Sequence, residues 1–359
     1  MHTTGQAKLP NEKLKFGATF TDHMLEIDWD ASKGWAAPSI SPYHKFELDP
    51  AASVFHYALE CFEGMKAYLD DEGSIRLFRP EMNMRRMAKS MARLGFPELD
   101  QDAYLECNKE LLKLEKDWIP RGEGFSLYIR PTAISTHPFL GVDRASQVKL
   151  YTILSPVGPY YPEGFKPVTL YADKANVRAW PGGTGDTKIG PNYAPTIYPQ
   201  MRAMQKGYSQ VLWLFGDKDG GYVTEVGTMN IFVLMKNEAG ETELVTPPLD
   251  GTILPGVTRD SILELARSWG DFGVSERLFT ISELTRAIQE GRLLEAFGAG
   301  TAAVVSPIRR IHFDGVDYDV PLDPSDPNAG AGPVTKRFWD TITGIQYGRI
   351  PHEWSQKLD

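Results

Sequence analysis

Pro181-Gly182-Gly183-Thr184-Gly185-Asp186-Thr187-Lys188-Ile189-Gly190-Pro191-Asn192-Tyr193-Ala194-Pro195 is the stretch on which the reading of this chain turns. Four glycines and three prolines in fifteen residues are too many for a helix or a central strand, so it is a loop. The spacing refuses both common phosphate loops. A Walker A loop needs Gly immediately before its lysine, where Thr187 stands, and a dinucleotide fingerprint begun at Gly183 needs a third Gly where Lys188 stands. What remains is one lysine displayed among small residues, where backbone approaches a ligand closely. Alone, Lys188 reads either as a solvated loop lysine or as a reactive amine at a domain junction, where small-ligand sites tend to lie.

Working outward, 359 residues exceed the roughly 250–300 that one hydrophobic core supports, so two domains are expected. The glycine-rich loop marks the boundary: a small N-terminal α+β domain over 1–170, a linker over 171–180, and a large C-terminal domain over 181–359 carrying the lysine. Upstream, Met84, Met87, Met91 and Leu94 repeat at helical spacing between Pro80 and Gly95. Tyr104, Cys107, Leu111, Leu114 and Trp118 form a second apolar stripe, closed by Pro120. Downstream, a helix is expected from about Val257 to Trp269, with Gly256 before it and Gly270 after it. Strands are expected at Val148–Leu154, Val168–Tyr171, Val211–Phe215, Met229–Met235 and Ala302–Val305. Strands follow one another more often than they alternate with helices, which favours α+β over a doubly wound sheet. Pro321 to Pro333 reads as a surface loop.

Composition narrows the function. Lys plus Arg number 38 against 47 Asp plus Glu, a net charge of -9, the wrong sign for a protein that neutralises nucleic-acid phosphates. Two cysteines make no disulfide scaffold and no metal or redox pair, which suits a reducing cytoplasm. Residues 1–15 are polar and read as no signal peptide, and the longest apolar runs, Val211 to Phe215 and Ile231 to Met235, are too short to span a bilayer. The seven histidines form no metal-binding pattern, so no metal is expected. His23 and His56, in apolar-aromatic contexts, read as packing histidines. Arg86 reads as a solvated helix arginine or an anion clamp.

These separate signals gain meaning together. Gly185 to Ala194 resembles the lysine segment of the branched-chain amino acid aminotransferases, pyridoxal-phosphate enzymes of fold type IV. Thr224-Glu225-Val226-Gly227-Thr228-Met229-Asn230-Ile231-Phe232 is similar to that family's cofactor-nitrogen segment. Leu254-Pro255-Gly256-Val257-Thr258-Arg259 resembles its phosphate-binding helix start, and Phe297-Gly298-Ala299-Gly300-Thr301-Ala302 its substrate-carboxylate turn. Phe20 to Met24, Phe62-Glu63-Gly64-Met65-Lys66-Ala67, Arg79-Pro80 with Asn83 to Met87, and Tyr128 to Pro131 also match, in order, from about Phe16 to Gly348.

The resemblance implies the two-domain architecture shared with D-amino acid aminotransferase. It also implies a pyridoxal 5'-phosphate enzyme moving the amino group of L-Leu, L-Ile or L-Val to 2-oxoglutarate by a ping-pong alternation of pyridoxal and pyridoxamine forms. Lys188 would be the catalytic residue, holding the cofactor aldehyde and shuttling the substrate proton. Arg86, Tyr193, Glu225, Thr228, Val257, Thr258 and Thr301 would join it in binding cofactor. Phe20, Tyr57, Phe62 and Tyr128 would wall the substrate side chain, Arg130 would meet the glutamate γ-carboxylate, and Thr301 and Ala302 would hold the α-carboxylate. Leu140 to Val142 would close the pocket of a partner subunit, which implies a homodimer. The rivals are a D-amino acid aminotransferase, a 4-amino-4-deoxychorismate lyase and a non-catalytic scaffold. Some animal members carry a C-x-x-C pair where Ala303 and Ser306 stand here, so no thiol switch is expected.

Overall fold

A computed structural model of the chain describes residues 8–159, 165–326 and 328–358, so the first seven residues of the polar N-terminal stretch, and Pro327 in the expected surface loop, lie outside the described residues. The chain forms two compact units, one within Met1–Tyr160, Thr187–Pro191 and Gly344–Asp359, the other within Tyr161–Asp186 and Asn192–Thr343. This division differs from a single cut along the chain. The lysine segment packs with the first unit rather than with the residues that follow it. The stretch taken as linker begins inside a strand, Val168–Asp173.

The first unit is built on an antiparallel sheet. Its strands are β1 (His23–Asp30), β2 (Gly34–Trp35), β3 (Ser39–Pro42), β4 (Glu60–Phe62), β5 (Met65–Leu69), β6 (Ile75–Phe78), β7 (Ser126–Ser135) and β8 (Gln147–Val157). The spine runs β6-β5-β7-β8-β1-β2, with β3 on β1 and β4 on β7, and a C-terminal strand, Ser355–Leu358, pairs with β6. Helices α1 (Ser53–Tyr57), α2 (Pro80–Arg93) and α3 (Gln101–Leu114) belong to the same unit. Proline at its first position suits α2, and Met84, Met87 and Met91, at i, i+3 and i+7, are buried to 1%, 0% and 1% exposure. In α3 the Asp100 carboxylate accepts the Ala103 N–H at 3.0 Å, a side-chain N-cap. The apolar stripe outlasts this helix and continues into a 3-10 turn at Lys116–Trp118. Cys107 packs, partly buried, against the core formed by α2, α3 and the sheet.

The second unit is mixed. Its strands are β9 (Val168–Asp173), β10 (Gln210–Phe215), β11 (Tyr222–Val226), β12 (Met229–Lys236), β13 (Thr242–Thr246), β14 (Gly273–Glu276), β15 (Leu293–Gly300), β16 (Val304–Phe313) and β17 (Val316–Asp319). Pairing runs β11-β10-β9-β16-β15-β12, and β11 also pairs with β12, so six strands close into a ring. Leu170, Leu212, Val223, Ile231, Val233 and Ile308 fill its core. Around it stand α4 (Ile197–Gln205), α5 (Val257–Trp269), α6 (Ile281–Gln289) and α7 (Pro333–Gln346). Gly270, at φ 68°, ends α5 at the residue its sequence predicts. Thr280 and Glu283 are placed as a capping box, and the Thr280 hydroxyl accepts the Glu283 N–H at 3.1 Å. Glu295 of β15, buried, accepts the Val334 and Thr335 N–H groups at 2.9 and 2.8 Å and so caps α7 from a strand. The expected strand Ala302–Val305 is corrected: 301–303 form a tight turn, and the strand begins at Val304.

The α+β class therefore holds. Among the described residues no helix is long and apolar enough to cross a membrane.

Candidate active site

In the first unit the lysine segment lies along β4. The Phe62 N–H donates to the Lys188 carbonyl at 3.0 Å, and Cys61 forms a bridge with Ile189. On the other side the Lys188 N–H donates to the Ser90 hydroxyl of α2 at 2.8 Å. Gly190 permits this approach, since a Cβ there would fall 2.3 Å from Glu60 Oε1. These contacts display the amine against an aromatic wall, with Lys188 Nζ 4.9 Å from the centre of the Phe62 ring.

Phe62 also neighbours the Arg130 guanidinium, at 4.6 Å from the ring centre, and Arg130 Nη2 donates to the Tyr128 hydroxyl at 2.9 Å. Tyr128 fits because residue 64 is glycine; a Cβ there would lie 2.1 Å from its hydroxyl. Phe62, Tyr128, Arg130 and Lys188 thus come together as expected residues of one cluster. Phe20 has a different neighbour and stacks on Tyr43 at 5.2 Å. Tyr57 is 36% exposed and donates to the Leu140 carbonyl, tying down a loop whose Leu140 and Val142 are 63% and 81% exposed.

Arg86 is buried, and its guanidinium forks onto Glu63, with Nε at 2.7 Å from Oε1 and Nη2 at 2.8 Å from Oε2. Asn83 Nδ2 adds a bond to Glu63 Oε2 at 2.9 Å. Burial pushes the Glu63 carboxyl up, but Arg86 first, then Lys188 and Asn83, outweigh it and hold the group below the usual carboxylate range. Of the two packing histidines, His23 is partly buried against the Glu115 carboxylate, whereas His56 is exposed on a short helix and bonds only the Pro50 carbonyl, at 2.9 Å. The reading of His56 is therefore corrected: α1 is too short to carry its flanking aromatics into a core.

The second unit builds its cluster on the end of β11. Glu225 is 3% exposed. Its Oε1 accepts from Asn230 Nδ2 and from the Leu254 N–H, both at 3.0 Å, and its Oε2 lies 3.0 Å from Arg178 Nη2. Arg178 in turn donates to the Thr252 carbonyl at 2.6 Å. Tyr193, Glu225 and Thr228 line one recess with Arg178, Asn192 and Leu254. The turn after β11 is set by Gly227, at φ 54°, whose carbonyl accepts the Trp213 indole N–H at 2.8 Å.

Asn230 also ties this carboxylate to the start of α5. It donates to the Leu254 carbonyl at 2.9 Å, and its Oδ1 sits where a Cβ on Gly256 would be, 2.1 Å away. Gly256, Val257 and Thr258 open α5 with no side chain capping the first N–H groups, a donor set suited to an anion. The Thr258 hydroxyl reaches the Gly300 carbonyl at 3.3 Å, so the helix start adjoins the turn bearing Thr301 and Ala302. Val304, just past that turn, has φ 60°, a left-handed conformation that β-branched residues rarely adopt and that persists only where the surroundings impose it.

The residues present fit pyridoxal 5'-phosphate. They supply an amine, a buried carboxylate, a tyrosine, an uncapped helix start and an arginine. Arg130 Nε and Arg178 Nε are buried with no hydrogen-bond partner among the described residues. Sequence reasoning missed the supports. Glu63, Asn83, Ser90, Arg178 and Asn230 hold the predicted residues. Asn83, Arg86 and Ser90, at i, i+3 and i+7 of one helix, carried a signal in their spacing.

Residues 60–311 match the amino-transferase class IV family. The chain is 57% identical over 348 residues to a branched-chain-amino-acid aminotransferase of Dictyostelium discoideum, covering 97% of this chain and 90% of that protein. It is 51% identical to the cytosolic enzyme of that name from Saccharomyces cerevisiae, covering 97% and 92%, and 51% identical to the mitochondrial one, covering 97% and 89%. The solved branched-chain amino acid aminotransferase of Thermobaculum terrenum, in its PLP-form, superposes with a TM-score of 0.72 at 24% identity, over 94% of this chain and 98% of that one, and shares the fold. The chain belongs to the amino-transferase class IV family and, within it, to the branched-chain-amino-acid aminotransferases.

Proposed function

We propose that the protein transfers the amino group of L-Leu, L-Ile or L-Val to 2-oxoglutarate, giving the branched 2-oxo acid and L-glutamate by a ping-pong mechanism with pyridoxal 5'-phosphate. The observation that carries this reading is the amine of Lys188 held against Phe62, with Arg130 and Tyr128 beside the same ring. When bound, the cofactor supplies an aldehyde that takes up an amine and a ring that accepts an electron pair. Lys188 would hold that aldehyde, and its amine would serve as the base that takes and returns the substrate Cα proton. Glu225 keeps the ring nitrogen protonated, and Tyr193 donates to the phenolic oxygen. Arg86, the N–H groups of Val257 and Thr258, and the hydroxyls of Thr258 and Thr301 hold the phosphate, while Thr228 lines the cofactor site. Thr301 and Ala302 bind the α-carboxylate through backbone N–H groups.

The substrate side must take an apolar branch in one half-reaction and a carboxylate in the other. Phe20, Tyr57, Phe62 and Tyr128 provide apolar walls, and Arg130 meets the γ-carboxylate of glutamate. The partnerless Nε of Arg130 supports that role. The enzyme works as a cytoplasmic homodimer, in which Leu140 to Val142 covers the partner's pocket. Sedimentation and cell fractionation test these two points.

Borohydride reduction of the yellow holoenzyme should fix the cofactor on Lys188, located by peptide mass spectrometry; labelling elsewhere sinks the assignment. A panel of L-Leu, L-Ile, L-Val and D-Ala with 2-oxoglutarate as acceptor should show preference for the branched L-substrates. Preferential use of D-Ala would overturn the substrate reading.

A further inference from the structure

The Glu63 carboxylate is unusual in being wholly buried yet assigned no part in binding or chemistry. Isolated buried charge is costly, so such a group persists only where it is paired and saturated with hydrogen bonds. Glu63 is both. Its Oε1 accepts Arg86 Nε at 2.7 Å, and its Oε2 accepts Arg86 Nη2 at 2.8 Å, Asn83 Nδ2 at 2.9 Å and the Gly64 N–H at 3.1 Å. A guanidinium has five N–H donors in a planar fork. Glu63 engages one from Nε and one from Nη2, which fixes the plane of the group and directs the remaining three to other partners. Without a fixed partner, an arginine side chain keeps rotamer entropy that any ligand must overcome.

The helix that carries Arg86 also carries the acceptor for the Lys188 main chain. Asn83, Arg86 and Ser90 share one face of α2, and Phe62, next in sequence to Glu63, donates to the Lys188 carbonyl. Clamp and lysine are therefore registered through the same short segment, within one unit.

We propose that Glu63 is a positioning residue for the cofactor phosphate, acting by holding the Arg86 guanidinium in the orientation that receives it. The inference rests on the reading of Arg86 as the phosphate clamp. Its signature is dependence on the phosphate itself, which general damage to the unit would not produce.

The test measures dissociation constants of full-length apoprotein for pyridoxal 5'-phosphate and for pyridoxal, which lacks the phosphate, by absorbance titration. Glu63→Gln should lose about tenfold or more in affinity for the phosphorylated form, the scale of a hydrogen bond to a charged group. Its affinity for pyridoxal should change by less than about twofold, within the spread of independent effects. Glu63→Asp, which keeps the charge but shortens the reach, should fall between, and it carries the test if Glu63→Gln melts early. In an Arg86→Ala background, adding Glu63→Gln should leave the ratio of the two affinities unchanged. Equal loss for both ligands, or an unchanged ratio in folded Glu63→Asp and Glu63→Gln, overturns the inference. A parent protein that does not prefer the phosphorylated ligand overturns the clamp reading first, and is recognised before any variant is made.

Discussion

Each unit holds a buried arginine–glutamate pair, and the two are built in opposite senses. In the first, Glu63 and Arg86 are joined by two parallel bonds, and the cation is the member assigned to the ligand. In the second, Glu225 and Arg178 meet through one contact at 3.0 Å, and the anion is the member assigned to the ligand. Both pairs set a buried charge against its opposite inside its own unit. They differ in the bond to the counter-charge: Glu63 takes two donors from Arg86 beside those of Asn83 and Gly64, whereas Glu225 meets Arg178 through one, beside Asn230 and the Leu254 N–H. An acidic chain can thus present local cations, and the net charge of -9 says nothing about the site.

The asymmetry predicts unequal costs. Arg86→Ala removes both bonds of the fork from the wholly buried Glu63, and should cost the first unit about 3–5 kcal/mol of stability, as breaking a buried pair does. Arg178→Ala removes a single contact from Glu225 and should cost less, about 1–3 kcal/mol. Urea unfolding of the full chain, followed by hydrogen exchange resolved by segment, measures both; equal losses would break the distinction.

Activity sharpens it from the other side. Glu225→Gln should lower kcat for L-Leu by about a hundredfold, the scale on which a preorganised electrostatic group acts. A Glu225→Gln enzyme with parental kcat would remove that carboxylate from the chemistry.

Acid should test the first pair as well. Arg86, with Lys188 and Asn83, holds the Glu63 carboxyl below the ordinary glutamate value of 4.5, against a burial that raises it. A group depressed on folding contributes stability that is complete above its unfolded pKa and is lost as pH falls through its folded pKa. The first unit should therefore lose stability below about pH 4.5, and Glu63→Gln should flatten that loss. An unchanged acid profile in the variant would contradict the assignment. The smallest effect is expected from Ser90→Ala, about 1 kcal/mol, because it removes one acceptor of the Lys188 N–H. Amide exchange at Lys188, faster in the variant, reports it.

Much of this was legible in the sequence. The helix Val257–Trp269 is readable because glycines flank an apolar period, and Lys188, Phe62, Tyr128 and Arg130, each legible in its own segment, meet in the first unit. What was not legible depends on contacts between distant segments. Arg178 sits in a stretch without periodicity and gains meaning only from Glu225, 47 positions on. The lysine segment looked like the start of a second domain because composition marks a loop without saying which core the loop joins. His56 and the strand at Ala302 were misread because aromatic or β-branched neighbours suggest burial and pairing, whereas a five-residue helix and a three-residue turn occupy those places.

The C-terminal strand, Ser355–Leu358, pairs with Ile75–Phe78 in the sheet of the first unit. During synthesis these partners emerge far apart in time, Ile75–Phe78 long before Ser355–Leu358. The strand Ile75–Phe78 emerges early and waits with an unpaired edge, a template for mispairing with any neighbouring nascent chain. A chain cut before Ser355 would keep that edge open, so the truncated polypeptide would be association-prone as well as shortened.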